Sequence, residues 1–225
     1  MHDTERSSRA RWPAAVLWDM DGTLVDTEPY WHEAEFELAA EFGASWSEHH
    51  ALALVGHNLI DSGHYIREHM GIPLDPAEIV ERLLDGVVSR VSRRVPWRPG
   101  ARELLAALHE EGVPCGLVTM SYLRFVEPVL DELPTGSFAT VVTGDAVDRG
   151  KPHPEPYETA ARRLGVAPAD CVAIEDSDTG ARSAVAAGCT VLVVPHHVQV
   201  PEGPARVFTA SLREVTPAYL QGLRS

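Results

Sequence analysis

The stretch "AAVLWDMDG", residues 14–22, decides the fold. Its apolar run has no polar alternation, as expected of a strand covered on both faces of a parallel sheet. It stops abruptly at Asp19-Met20-Asp21-Gly22. The same pattern recurs downstream in "VPCGLVTM" (113–120), "FATVVTG" (138–144), "CVAIED" (171–176) and "TVLVVP" (190–195). Helical patterns separate these runs: "RPGARELLAALHEEG" (98–112), "YLRFVEPVLDEL" (122–133, with Pro128 as a kink or boundary), "PEPYETAARRLG" (154–165) and "TGARSAVAAG" (179–188). Strand and helix alternating in this way predict βαβ units and an open Rossmann-like parallel sheet flanked by helices, an α/β fold.

Between the first strand and the rest of this unit the period changes. Residues 28–95 are helical throughout, in "EPYWHEAEFELAAEFG", "NLIDSGHYIREHMG" and "PAEIVERLLDGVVSRVSRRV". The simplest arrangement is an all-helical cap, 28–95, inserted after the first strand of a core made of 14–27 and 96–225, with 1–13 as a solvated tail. A chain of 225 residues has room for one substantial core plus such a satellite.

Composition narrows the function class. A formal charge of −14 disfavours nucleic acid and anionic membranes as partners. No apolar run approaches the ~18 residues of a spanning helix. The opening "MHDTERSSRARWP" lacks the apolar segment of a secretory signal. Cys115, Cys171 and Cys189 each border an apolar run and form no CxxC pair, which favours buried thiols in a reducing compartment. The expectation is a cytoplasmic protein, a monomer or weak dimer.

Four strand ends carry chemistry. The first ends in Asp19-Met20-Asp21-Gly22-Thr23, the second in Thr119 with Ser121 beyond, and the fourth in Glu175-Asp176-Ser177-Asp178; the third leads through a loop to Lys151. Lys151 is the one lysine beside eighteen arginines. Ligands of open parallel sheets bind outside the carboxyl ends of the strands, so these groups share one rim. Crowded carboxylates call for a cation, and an oxygen-only donor set suits a hard divalent ion, Mg²⁺ with a phosphate above all.

In order and sheet context, "DMDGTLVDTE", "LVTMS", "GKPHPEPY" and "IEDSDTGARSAVAAG" resemble the four signature motifs of the haloacid dehalogenase superfamily, and the helical insertion resembles that family's small cap. "DMDGTLVDTEPYW" and "EDS" are most similar to the branch holding sugar-phosphate phosphatases and β-phosphoglucomutase. The resemblance implies that Asp19 is the nucleophile forming an aspartyl phosphate and Asp21 the general acid and base. It implies that Thr119 holds a phosphoryl oxygen, with Gly22, Thr23, Met120 and Ser121 around the substrate. It further implies that Lys151 balances charge and that Asp19, Asp21 (through its carbonyl), Glu175 and Asp176 hold Mg²⁺.

The substrate implied is a small phosphorylated metabolite, a sugar or polyol phosphate. Residues 28–95 contain no lysine, which excludes Schiff-base phosphonate hydrolysis and, with Trp31 near the mutase histidine position, weighs against a β-phosphoglucomutase-like phosphosugar mutase. A receiver domain is about half this length and orders these residues differently. An inactive phosphometabolite-binding protein is the non-enzyme alternative. Within the cap, Tyr30, Trp31 and Phe36 are packing candidates, Trp31 being also placed to face substrate. His57 and Asn58 fall where the family sets specificity. Ser121 and Asp178 are candidate helix N-caps, and His196 and His197 candidate surface residues.

Overall fold

The computed structural model describes residues 12–54 and 57–223; residues 1–11 of the expected tail lie outside the described residues. Strands β1 (Ala15–Trp18), β2 (Cys115–Val118), β3 (Thr140–Val142), β4 (Cys171–Glu175), β5 (Thr190–Val193) and β6 (Arg206–Phe208) form one parallel sheet. Their spatial order is β3-β2-β1-β4-β5-β6. The first five are the apolar runs of the sequence. β6 was not expected: three residues at a sheet edge, with Arg206 first, give no periodic signal.

Successive strand residues face opposite sides, so each strand feeds two apolar layers. Ala15 and Leu17 pack with Tyr157, Ala160 and Ala161 of α7 (Glu155–Leu164) and Ala181 and Ala184 of α8 (Asp178–Ala187). Val16 and Trp18 pack with α5 (Ala101–Glu110), α6 (Leu123–Asp131) and α9 (Pro217–Gly222) through Leu104, Phe125 and Leu220. Pro128 lies inside α6 rather than bounding it. All three cysteines are buried at or beside strand starts; burial pushes the Cys115 and Cys189 thiols up to about 12, so they stay protonated.

The chain leaves β1 and builds α1 (Glu28–Phe42), α2 (Glu48–Leu54), α3 (Leu59–Met70) and α4 (Pro76–Val91) before returning to the sheet. Leu38, Ile66, Ile79, Leu83 and Val87 give this helical cap an apolar interior continuous with one face of the core. Its two connections run side by side: Asp26 N–H donates to the Pro96 carbonyl (2.8 Å) and Arg98 N–H to the Leu24 carbonyl (3.0 Å). Paired in this way, they set the cap over the carboxyl ends of β1, β2 and β4. From β1 the chain moves outward to β2 and β3, then crosses back to β4. The crevice between β1 and β4 is therefore a topological switch point, where open α/β sheets bind ligands.

Candidate active site

Asp19, Asp21, Thr119, Met120, Ser121, Lys151 and Asp176 line a cleft closed from above by Trp31 and His57 of the cap. Each core residue follows a strand end or, for Lys151, the loop before α7, so the sheet register brings them together. Lys151 is buried, 8 % exposed, and its three ammonium donors meet three acceptors: Asp19 Oδ1 (2.6 Å), Glu175 Oε1 (2.7 Å) and the Val118 carbonyl (2.9 Å). Its backbone N–H donates to Met120 Sδ (3.1 Å). Burial would lower the ammonium pKa, but the Asp19 and Glu175 charges outweigh it and hold Lys151 charged, above its ordinary value.

Asp21 points elsewhere. Ser121 Oγ donates to its Oδ2 (2.7 Å), Thr27 Oγ1 donates to Oδ1, and Thr119 Oγ1 lies 3.4 Å from Oδ2. Burial raises the Asp21 pKa, and the hydrogen bonds from Thr27 and Ser121 only partly offset that. Asp21 is thus a carboxyl disposed to hold a proton, fixed by two hydroxyls at the mouth of the cleft.

Asp19, Glu175 and Asp176 form a buried cluster whose carboxylate oxygens lie within 4.8 Å of one another. Burial first, then the charges of Asp19 and Glu175, push Asp176 well above the ordinary range. Asp19 Oδ2 is buried without a hydrogen-bond partner. One ammonium for three carboxylates leaves negative charge in excess, and an orphaned carboxylate oxygen faces that excess. A divalent cation with a preference for oxygen fits this donor set. The Asp21 side chain, held by Thr27 and Ser121, is not in the cluster. Two glycines let the acids pack so closely. A Cβ on Gly22 (φ 86°) would sit 2.0 Å from Asp176 Oδ2, and one on Gly180 would sit 2.0 Å from Glu175 Oε1.

Several sequence expectations need correction. Ser121 does not cap α6; Tyr122 precedes that helix, and the Ser121 hydroxyl is spent on Asp21. Ser177, not Asp178, caps α8, its Oγ accepting from Gly180 N–H (3.1 Å), while Asp178 is the first helical residue and pairs with Arg206 (2.8 Å). Asn58 does not reach the cleft: its Oδ1 accepts from Asp61 N–H (2.9 Å) as the cap of α3. Gly22 and Thr23 sit behind the cleft, Gly22 N–H closing a turn onto the Val25 carbonyl (2.8 Å). Glu175 lies beneath the cleft floor.

Among the aromatics, Trp31 lines the cleft and packs edge-on against Phe125 (5.6 Å). Tyr30 bonds the Arg94 carbonyl (3.1 Å), and Phe36 is exposed. His196 and His197 are more than surface residues, since both Nε2 atoms lie 3.0–3.1 Å from Asp26 Oδ1 beside the cap connection. Arg98 donates to His196 Nδ1 (2.7 Å), which places the His196 proton on Nε2, the nitrogen beside Asp26.

Sequence reasoning missed four residues. Thr27 holds Asp21, and Tyr157 donates its hydroxyl to Glu175 from beneath. Glu28 and Glu35 of α1 line the cap side of the cleft. Burial pushes Glu28 up to about 8, with help from Asp21 and Glu35, and pushes Glu35 up to about 7 against the hydrogen bond from Trp46 Nε1 (2.9 Å). The signal for Glu35 was an acid inside the apolar stripe of α1, beside Ala34 and Leu38.

That burial has a measurable consequence. Between the ordinary glutamate value and about 7, folded Glu35 holds a proton that the unfolded chain has lost, so stability falls as pH rises through this window and levels off above it. Relative to wild type, Glu35→Gln should gain stability from pH 4.5 to 7, by at most about 3 kcal/mol. Thermal unfolding of both proteins across pH checks it, and a constant offset would contradict the assignment.

A buried carboxylate with one unpartnered oxygen, a fixed ammonium, an acidic cluster suited to a divalent ion and a second carboxyl disposed to hold a proton, all at the switch point of a capped parallel sheet, suit the hydrolysis of a phosphoric monoester. Comparison with known proteins agrees. Residues 13–188 match the haloacid dehalogenase-like hydrolase family, and the chain belongs to it.

The chain is 34% identical over 220 residues to hexitol phosphatase B of Escherichia coli O157:H7, covering 92% of this chain and 96% of that protein. It is 34% identical to phosphoglycolate phosphatase of Shigella boydii over 77% of this chain and 78% of the other. Among solved structures, CbbY of Rhodobacter sphaeroides with xylulose-(1,5)-bisphosphate superposes with a TM-score of 0.79 at 28% identity, covering 91% of this chain and 96% of that one. No helix among the described residues is long and apolar enough to cross a membrane.

Proposed function

We propose that this protein is a Mg²⁺-dependent phosphatase of small sugar or polyol phosphates that works through an aspartyl phosphate on Asp19. The observation that carries the reading is the Asp19 carboxylate, one oxygen fixed by buried Lys151 and the other unpartnered at the cleft. The relatives' names, hexitol phosphatase and phosphoglycolate phosphatase, support the reaction class.

In this mechanism a phosphomonoester enters between the core, 14–27 and 96–225, and the cap, 28–95. Asp19 attacks phosphorus, and the bond to the leaving alcohol breaks. Asp21 gives its proton to the departing oxygen, held in position by Thr27 and Ser121. The freed Asp21 carboxylate then takes a proton from water, which attacks the aspartyl phosphate and releases inorganic phosphate. The Thr119 hydroxyl lies on the cleft lining to take a phosphoryl oxygen, and Lys151 neutralises charge on Asp19 and the phosphoryl group. Asp19, Asp176 and the Asp21 carbonyl, with Glu175 behind, would hold Mg²⁺, which supplies positive charge between two anions. Tyr157 and Lys151 keep Glu175 oriented beneath.

The test is phosphate release from p-nitrophenyl phosphate with and without chelator, followed by phosphorus NMR with glucose 1-phosphate. The expected outcome is activity lost to chelator and restored by Mg²⁺, with glucose 1-phosphate giving free phosphate. Activity in excess chelator would refute the metal. Accumulation of glucose 6-phosphate without free phosphate would establish the mutase instead.

A further inference from the structure

Helix α1 enters the cleft with an unusual face. Glu28, Trp31 and Glu35, spaced over two helical turns, all line it from the cap side. Glu35 is only 4 % exposed; its Oε2 accepts from Trp46 Nε1 (2.9 Å), and its Oε1 takes no hydrogen bond from any described residue. The Glu28 carboxyl has no hydrogen bond among the described residues, its nearest basic group being His32 Nε2 at 3.8 Å. Two carboxyl groups thus line the cap side of the cleft, across from the core residues that would take the phosphoryl group.

No cationic side chain among the described residues of the lining is free to offset them. Among the described residues Lys151 is the one lysine or arginine lining the cleft, and its three donors are committed to Asp19, Glu175 and Val118. The arginines nearby are engaged elsewhere: Arg90 with Glu33 and Glu37, Arg124 with Glu81 and Asp85, Arg98 with His196. His57, at the exposed rim, is the remaining basic group on the lining. A second phosphate or a carboxylate on the substrate would lose its water beside these two acids and find no free cationic side chain there, and a desolvated charge without a partner is costly. A neutral hydroxyl chain would instead give its O–H groups to carboxyl oxygens that lack donors.

We propose that Glu28 and Glu35 are specificity-determining residues that select phosphomonoesters whose leaving group is a neutral, hydroxyl-bearing chain and reject those carrying a second anionic group. This rests on the phosphatase reading above and narrows its substrate class. Trp31, between the two acids, offers an apolar face to the carbon chain, and the lining of Leu54, Leu59 and Leu83 adds to it. The cleft is dressed for a polyol arm: apolar along the chain, acceptors at its sides, no anion site at its far end.

The test compares two substrates of equal chain length, sorbitol 6-phosphate and 6-phosphogluconate, which differ in a terminal CH₂OH against a carboxylate. The wild-type enzyme should prefer the first by about 100-fold or more in kcat/KM. Glu28→Gln and Glu35→Gln each keep one acceptor oxygen and put N–H donors, to which an anion can bind, where the carboxyl had its second oxygen, so each should narrow that ratio, by about tenfold in the double variant. Equal kcat/KM values, or a preference for 6-phosphogluconate, would overturn the inference. So would a ratio unmoved in folded variants. The wild-type comparison stands even where a variant fails to fold. Hydrolysis of p-nitrophenyl phosphate by wild type is the separate control: its absence would sink the phosphatase reading itself, whereas its presence with no discrimination between the hexose-chain substrates would sink only this one.

Discussion

Asp19→Asn is expected to abolish phosphatase turnover, by at least about 10⁴-fold in kcat, without unfolding the protein. An amide oxygen is a poor nucleophile towards phosphorus, so the covalent step has no substitute. The side chain is isosteric, and its carbonyl oxygen can still accept from Lys151, which keeps Glu175 as its other carboxylate partner. Removing one charge from a cluster of three buried acids also relieves the repulsion that raises Asp176. In metal-free buffer the variant should therefore melt no lower than wild type. Residual turnover within tenfold of wild type would show that another group attacks phosphorus.

Lys151→Arg should cost about 100-fold or more in kcat with the fold retained. The ammonium is a compact point whose three donors are matched by three acceptors at 2.6, 2.7 and 2.9 Å in a buried site. A guanidinium carries five donors in a plane and needs more room, so it cannot meet the same three oxygens from the same loop. Overpacking at such a site costs about 1–3 kcal/mol, which a folded domain of this size can absorb. Eighteen arginines serve the chain as its other strong cations, and the single lysine stands where shape matters. Thermal unfolding and kcat measured together separate the effects. Near-normal turnover would mean that any cation suffices.

Much of this site was legible because its chemistry follows the apolar runs. Asp19, Thr119, Glu175 and Asp176 come at strand ends, and a parallel register is enough to bring strand ends to one rim. Lys151 stood out by composition. It is presented by the loop before α7, which begins at Glu155 with Pro154 as its cap and Pro156 in its first turn, and its ammonium is met by two carboxylates.

What the sequence concealed depends on contacts across the chain. Tyr157 reaches Glu175 from another helix, and Glu35 is met by Trp46 and the cleft only once α1 is laid over the core. Caps shifted by one residue, as at Ser177 for Asp178, because Ser and Asp side chains are alike in what they offer a helix start. Asn58 shows the reverse: a polar residue in the specificity loop whose side chain is used by its own helix. His196 and His197 acquired their partner, Asp26, from 170 residues away in sequence, which no local pattern records.

The central claim is a phosphoryl group on Asp19. It is tested by mixing enzyme and substrate, quenching in acid within one turnover, and mapping the protein by peptide mass spectrometry. The mechanism predicts a single phosphoryl addition on the peptide holding Asp19, absent from Asp19→Asn and gone once substrate is exhausted. Full turnover with no phosphoryl group on that peptide at any time, or with one on a different residue, would contradict it.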